Sequence, residues 1–302
     1  MKVYKRINKD FSFKNYFKAN NNFLWSGDSK KMLESAKNER FIDLIVTSPP
    51  YNIGKSYEEN ISIEQYYKEH FDFLSLAINF LKPAGSICYQ LGNHINKDGY
   101  ILPLDYIFHK IFTELGFKLK NRIIWTFGHG FHAQKRFSGR YETINWYVKD
   151  ENYTFNLDAV RVEQKYPGKR FYKGPNKGKI SSNKLGMNPS DVWVDIPHVK
   201  GNHIEKTEHP CQFPIALVIR LIRALTQENE IIFDPYMGVG SAGAAANIEN
   251  RKFIGADLDH DYVLTAKKRI KGSKEGNVRY RPLEKPIYDH TNSPLSKKPK
   301  EK

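Results

Sequence analysis

Cysteine is scarce. The 302 residues hold two, Cys88 and Cys211, far apart in the chain. Two isolated thiols exclude a disulfide framework or a cysteine-built metal centre, and they suit a reducing cytoplasm. Long apolar runs are missing too: no stretch reaches the roughly 18 residues that cross a bilayer, so no membrane partner is expected. The opening residues, Met1-Lys2-Val3-Tyr4-Lys5-Arg6, lack the apolar segment of a signal peptide. Acid is in deficit, with 33 Asp and Glu against 48 Lys and Arg, a net charge of +15. The tail Ser296-Lys297-Lys298-Pro299-Lys300-Glu301-Lys302 has four lysines and one glutamate, so most of the excess is spread over the rest of the chain. A charge of this size points to a polyanionic partner, nucleic acid above all. His129 and His132 are too few to hold zinc without further ligands, so no metal is expected.

What is present begins with Thr47-Ser48-Pro49-Pro50-Tyr51-Asn52, directly after the apolar run 41–46. That run reads as a buried strand, and two prolines cannot continue a sheet ladder. The strand must end there, on a stiff irregular backbone, at the place where open α/β sheets bind ligands. A hydroxyl, carbonyls with no N–H between them, a flat ring and an amide suit a planar, stackable, hydrogen-bonding group such as a nucleobase. A second strand, 231–234, runs into Asp234-Pro235-Tyr236-Met237-Gly238-Val239-Gly240-Ser241 and an Ala-rich helix. About twenty residues on, Phe253-Ile254-Gly255-Ala256-Asp257 ends in a carboxylate. A glycine turn admits close approach of backbone to ligand, and an acid at the end of the next strand can take ribose hydroxyls. Together they fit an adenosine-type cofactor.

Strands are expected near residues 23, 43, 87, 123, 145, 232 and 254, alternating with helices over 29–36, 63–81, 101–115, 215–225, 241–249 and 259–270. The helix over 63–81 rests on Phe71, Leu74, Ile78 and Leu81 and stops at Pro83-Ala84-Gly85. Asp28 stands where an N-cap belongs. This alternation implies an α/β, doubly wound, seven-stranded, mostly parallel sheet, with an antiparallel hairpin edge where the strands near 123 and 145 lack an intervening helix. The domain reading is an N-terminal arm, 1–20; a catalytic half, 21–154; a basic insertion, 155–205; a cofactor half, 206–272; and a loosely packed tail, 273–302. From Arg161 to Lys206 there are ten Lys and Arg against four Asp and Glu, interleaved with Tyr166, Phe171 and Tyr172. That composition suits target recognition on nucleic acid, with Lys177, Lys179 and Lys184 on phosphates. The stretch 127–142 mixes Gly, His and aromatics with Arg136 and Arg140, a composition for phosphate contact and base stacking. The glycine-bearing loop after Tyr51, with Lys55, is a candidate to close over a bound base.

These motifs resemble those of β-class DNA methyltransferases that modify exocyclic amino groups, with Ser-Pro-Pro-Tyr first and the cofactor glycines near the C-terminus. The resemblance covers roughly residues 20–272. It implies a Rossmann-like fold, S-adenosyl-L-methionine as cofactor, double-stranded DNA as partner and a place in a restriction-modification system beside a cognate endonuclease; monomer and homodimer both stay open. It implies catalytic roles for Ser48, Pro49, Pro50 and Tyr51. It implies cofactor contacts at Asp28, Asp234, Pro235, Gly238, Gly240, Ser241 and Asp257, with Lys206 and Thr207 as donors to the cofactor carboxylate. Adenine-modifying members usually carry Asp or Asn where this chain has Ser48, and serine more often accompanies cytosine N4. Stretches 48–57, 136–148 and 209–214 nevertheless resemble adenine-modifying relatives that keep the serine, so adenine N6 is the expected target, with cytosine N4 as the alternative.

Overall fold

The computed structural model describes residues 1–53, 61–95, 98–128, 130, 132–287, 291 and 296. Lys55, most of its loop, His129 and most of the lysine-rich tail lie outside the described residues. In chain order the strands are β1 (Val3–Tyr4), β2 (Asn22–Ser26), β3 (Ile42–Thr47), β4 (Leu81–Leu91), β5 (Asn93–Ile95), β6 (Ile101–Pro103), β7 (Lys118–Thr126), β8 (Tyr141–Val148), β9 (Val192–Trp193), β10 (Ile231–Asp234) and β11 (Lys252–Asp257). The helices are α1 (Phe13–Tyr16), α2 (Ser29–Glu34), α3 (Ile63–Ala77), α4 (Leu104–Glu114), α5 (Ile215–Leu225), α6 (Ser241–Ile248) and α7 (His260–Lys274).

One sheet runs in the order β1-β2-β11-β10-β3-β4-β8-β7-β9. The seven expected strands are its centre, and two-residue strands extend it at both edges. From β1 through β4 all pairings are parallel; β8 is antiparallel to both β4 and β7. Strand order, not chain direction, reverses between β10 and β3: β10 is followed by β11 on one side and β3 by β4 on the other. That is the switch point at which such sheets open a crevice beyond their strand ends.

Helices cover both faces, which is why the central strands read as unbroken apolar runs. Leu44, Val46, Ile232 and Phe253 face α5, α6 and α7, while Ile45, Ile87, Phe233 and Ile254 face α2, α3 and α4. In α5 every residue but Arg223 is buried. Its buried Arg220 is paired through both terminal nitrogens with Asp195 and lies 4.8 Å from the Trp193 ring centroid.

Several local expectations change. Helix α3 ends at Ala77, and Leu81 already belongs to β4. Pro83-Ala84-Gly85 sits in the register shift between β3 and β4, so the prolyl residue interrupts a strand rather than stopping a helix. The buried face of α3 is Tyr66, His70, Phe73, Leu74 and Ala77, not the line through Phe71. Residues 101–103 form β6, and α4 starts only at Leu104. The N-terminal segment, without period in the sequence, is held by rings: Phe13 and Phe17 are buried, and Tyr4 stacks on Phe23 at 4.5 Å. Such contacts are invisible to a periodicity reading because the partners are distant in sequence. Residues beyond α7 likewise return to the body, where Val278, Tyr280 and Leu283 pack on the core. The basic insertion is tied down at both ends: Phe155 stacks on Trp146, and Trp193, Ile196 and Val199 are buried. Between them the chain folds back on itself through the bridges Val162 with Met187 and Arg170 with Ile180.

Candidate active site

Thr47 and Asp234 end the two strands at the switch point. They are 187 residues apart in the chain, yet Thr47 Oγ1 donates to Asp234 Oδ1 at 2.5 Å. The same carboxylate oxygen accepts the Tyr236 N–H at 3.1 Å, whereas Oδ2 has no hydrogen-bond partner among the described residues. Asp234 is fully buried, and burial pushes its pKa up to about 7.

Past Thr47 the two prolines turn the chain out of the sheet. Ser48 Oγ donates to Tyr51 Oη at 3.1 Å, so its lone pairs stay available as acceptors. Tyr66 on α3 donates its hydroxyl to the Pro50 carbonyl at 2.7 Å. Asn52, at φ +54°, exchanges two hydrogen bonds with Ile61 and closes the loop at its base. The Tyr51 ring lies over Gly92, just beyond β4; a Cβ there would stand 2.5 Å from Tyr51 Cε2. Burial raises the Tyr51 hydroxyl well above the ordinary tyrosine range, so it stays neutral.

After β10 the chain makes the glycine turn. Gly238 and Gly240 take φ +48° and +78°, left-handed conformations that side chains disfavour. Gly240 is the N-cap of α6. Asp257, at the end of β11, accepts the Gly238 N–H at 2.8 Å through Oδ2 and the Asp259 N–H at 2.9 Å through Oδ1. Burial raises its pKa. Asp28 caps α2 by accepting the Lys30 N–H at 2.7 Å.

These elements converge on a cavity of about 170 Å³. Ser48, Pro49, Pro50 and Tyr51 form one side; Pro235, Gly238, Ser241 and Asp257 form another, and Asp28 lies at the rim. Asp234 and Gly240 are not among the described residues that line it. Lys206 and Thr207 are not among the described residues that line the cavity. Lys206 Nζ donates to the His209 carbonyl, and Thr207 Oγ1 donates to Gln212 Oε1. They brace the segment whose His209, Cys211, Gln212 and Phe213 do line it. His209 Nδ1 accepts the Cys211 N–H, and burial holds its pKa down to about 4, so a neutral imidazole faces the glycine turn. No local signal in the sequence assigns a role to His209, Tyr66 or Gly92, because each matters through a contact with a distant segment.

The basic residues expected on nucleic acid lie elsewhere on the surface. Arg136 is exposed and Arg140 half-buried on the loop between β7 and β8, while Lys177, Lys179 and Lys184 are exposed on the insertion. None of the five lines the cavity among the described residues.

The cavity fits S-adenosylmethionine on its own chemistry. It joins a carboxylate at a strand end for a ribose diol, a glycine turn for close backbone approach, apolar walls from Phe213, Val239 and Tyr262, and no basic side chain among the described lining residues to repel a sulfonium. The comparisons agree with this geometry. The chain is 40% identical over 259 residues to the type II methyltransferase M.BglII of Bacillus subtilis, covering 86% of this chain and 71% of that one. It is 33% identical to the DNA adenine methyltransferase YhdJ of Escherichia coli K12, over 76% of each chain. Among solved structures, the PvuII cytosine-N4-specific DNA methyltransferase superposes with a TM-score of 0.66 at 21% identity, covering 87% of this chain and 94% of that one, and so shares the fold. A sequence model of the N6/N4 DNA methylases matches residues 42–268, from the first strand of the switch point to the last helix. With its two strand ends meeting in one cavity, the chain belongs to the N6/N4 DNA methylase family.

Proposed function

We propose that this chain is a site-specific DNA methyltransferase acting on the exocyclic N6 of adenine in duplex DNA, as the protective methylase of a restriction-modification system. The observation that carries the reading is the single cavity bounded by Ser48–Tyr51 on one side and by the Gly238 turn and Asp257 on the other. An exocyclic amine is a poor nucleophile because its lone pair is delocalised into the ring. Acceptors for its N–H groups favour a pyramidal, more reactive nitrogen. Ser48 Oγ and the Pro49 carbonyl are the acceptors. The Pro50 carbonyl already accepts from Tyr66, so the Pro49 carbonyl is the one assigned to the amine. Tyr51 stacks on the base, which leaves the duplex to reach the pocket. When bound, S-adenosylmethionine supplies an activated methyl on a sulfonium, so the chain needs only to hold the amine in line with it. The Gly238 turn, Ser241 and Asp257 hold the cofactor, Lys206 and Thr207 act on it through the 209–213 segment, and Arg136, Arg140, Lys177, Lys179 and Lys184 meet phosphates.

Adenine is supported by the resemblance of three stretches to adenine-modifying relatives and by the identity to a DNA adenine methyltransferase. Ser48 favours a second reading, cytosine N4, because serine at this position more often accompanies that target. Digesting DNA from cells that express the protein to nucleosides separates the two. The expected product is 6-methyladenine. Finding 4-methylcytosine alone transfers the chain to the second reading, and finding neither removes DNA methylation altogether.

A further inference from the structure

Phe137 is 98% exposed, the most exposed large hydrophobic side chain among the described residues. A bare phenyl ring forfeits its burial and offers no polar handle, so a partner that covers it gains apolar contact. It stands on the loop between β7 and β8. The loop is closed at its base, where Phe127 N–H donates to the Arg140 carbonyl at 3.0 Å. Within it, Ala133 N–H donates to Ser138 Oγ at 3.0 Å and shapes a turn that holds position 137 outward. Arg136 Nη1 donates to the Phe137 carbonyl and Arg140 Nη1 to the Gly139 carbonyl, so two guanidinium groups lie along the main chain of the same loop.

The loop's position relates it to the cavity. Leu91 pairs with Thr143 across β4 and β8, which puts Gly92 beside Glu142, two residues from Arg140. Gly92 is the residue on which the Tyr51 ring lies. The arm that carries Phe137 therefore rises from the strand next to the base-stacking tyrosine, about one strand spacing of roughly 4.8 Å away. Its sequence neighbours Lys135, Arg136, Ser138 and Gly139 are cationic or small and build no apolar patch for a second copy of the chain. Positive charge around one bare ring selects a polyanion with stacked bases.

We propose that Phe137 is the wedge that enters the base stack and fills the place vacated by the target base. This rests on the DNA-methylation reading above. Extruding a base leaves a gap and breaks stacking contacts. An apolar side chain pushed between base steps replaces part of them, while the arginines of the same loop hold phosphates.

The test compares wild type, Phe137→Ala, Phe137→Trp and Tyr172→Ala on two short duplexes carrying the mapped target site. In one the target base is normally paired; in the other it faces an abasic position and leaves the stack without being pushed. Phe137→Ala is expected to lose roughly ten- to a hundredfold in kcat/KM on the paired duplex, the scale of one stacking contact. On the abasic-opposed duplex it should recover to within a few fold of wild type, and Phe137→Trp should keep most activity on both. Cofactor affinity by calorimetry should not move. Equal activity of Phe137→Ala and wild type on the paired duplex overturns the proposal. So does an equal loss on both duplexes, which is what a plain contact gives. The selective defect in Tyr172→Ala, whose ring is 91% exposed on the insertion, would place the wedge there instead. A wild type inert on both duplexes removes the methylation reading, and the wedge with it.

Discussion

Adding one methyl group at Gly92 tests whether the Tyr51 ring is held in register with the chemistry. In Gly92→Ala the three atoms nearest the new Cβ all belong to the Tyr51 ring, at 2.5, 3.0 and 3.3 Å. Ordinary carbon contacts begin near ~3.5 Å, so the ring must move by about 1 Å. The backbone at residue 92 is not in the left-handed region, so the substitution has no other source of strain there. A shift of that size in a group that positions substrate costs about a hundredfold in rate, and the overpacking itself costs about 1–3 kcal/mol of stability. The assay is single-turnover methylation of duplex DNA, with cofactor affinity by calorimetry and urea unfolding in parallel. Turnover should fall about a hundredfold while cofactor affinity stays within a few fold, because the Gly238 turn is not touched. In a Tyr51→Ala background the same glycine change should cost no further stability, since the obstructing ring is gone. A Gly92→Ala enzyme at wild-type rate, or an undiminished stability cost in that background, would refute the claim that Gly92 sets the ring.

Tyr51→Ala should reduce turnover by about a hundredfold or more, the scale of one misplaced substrate, and cofactor affinity far less; equal losses in the two assays count against Tyr51 as the base-stacking residue. Asp257→Ala removes the carboxylate that caps the Gly238 N–H, a charge-assisted bond worth about 1.5–3 kcal/mol, so cofactor affinity by calorimetry should drop at least tenfold. Tyr66→Phe frees the Pro50 carbonyl and should lower kcat by several fold with KM for the cofactor unchanged in steady-state kinetics. Asp234 gives a pH prediction. Its folded pKa of about 7 lies above the unfolded value, so the fold binds the extra proton between the two and loses stability as pH rises through that window, by up to about 4 kcal/mol. Urea unfolding at pH 5 and pH 8 should show this loss in the wild type and a smaller one in Asp234→Asn; parallel pH dependence in the two refutes it.

The central strands and the two motifs were legible in the sequence because each is a local signal. A buried parallel strand is an apolar run, and its end is marked by Pro-Pro in one case and by glycines in the other. The order of strands along the chain also exposed the hairpin at the β7 and β8 edge. What escaped were features whose cause lies across the molecule. The register shift that absorbs Pro83-Ala84-Gly85 into β4 depends on its pairing with β3. The N-terminal arm is fixed by aromatic partners such as Phe23 and Phe41, not by its own pattern. Lys206 and Thr207 matched the expected motif, but the structure spends their donors on holding His209 and Gln212 at the cavity.

The buried Thr47–Asp234 hydrogen bond explains why chain order and site order can differ in this fold. Thr47 precedes Asp234 by 187 residues, with a basic insertion between them, yet the sheet sets β3 directly against β10. What the chemistry requires is that these two strand ends be adjacent, and register fixes that: Leu44 pairs with Ile232 and Ile45 with Phe233, which brings Thr47 and Asp234 out on the same edge. A slip of one residue would turn every buried side chain of β3 to the wrong face. The apolar packing that stabilises the central strands is therefore also what aligns the Ser48–Tyr51 loop with the Gly238 turn. The basic insertion enters between β8 and β10, outside that alignment.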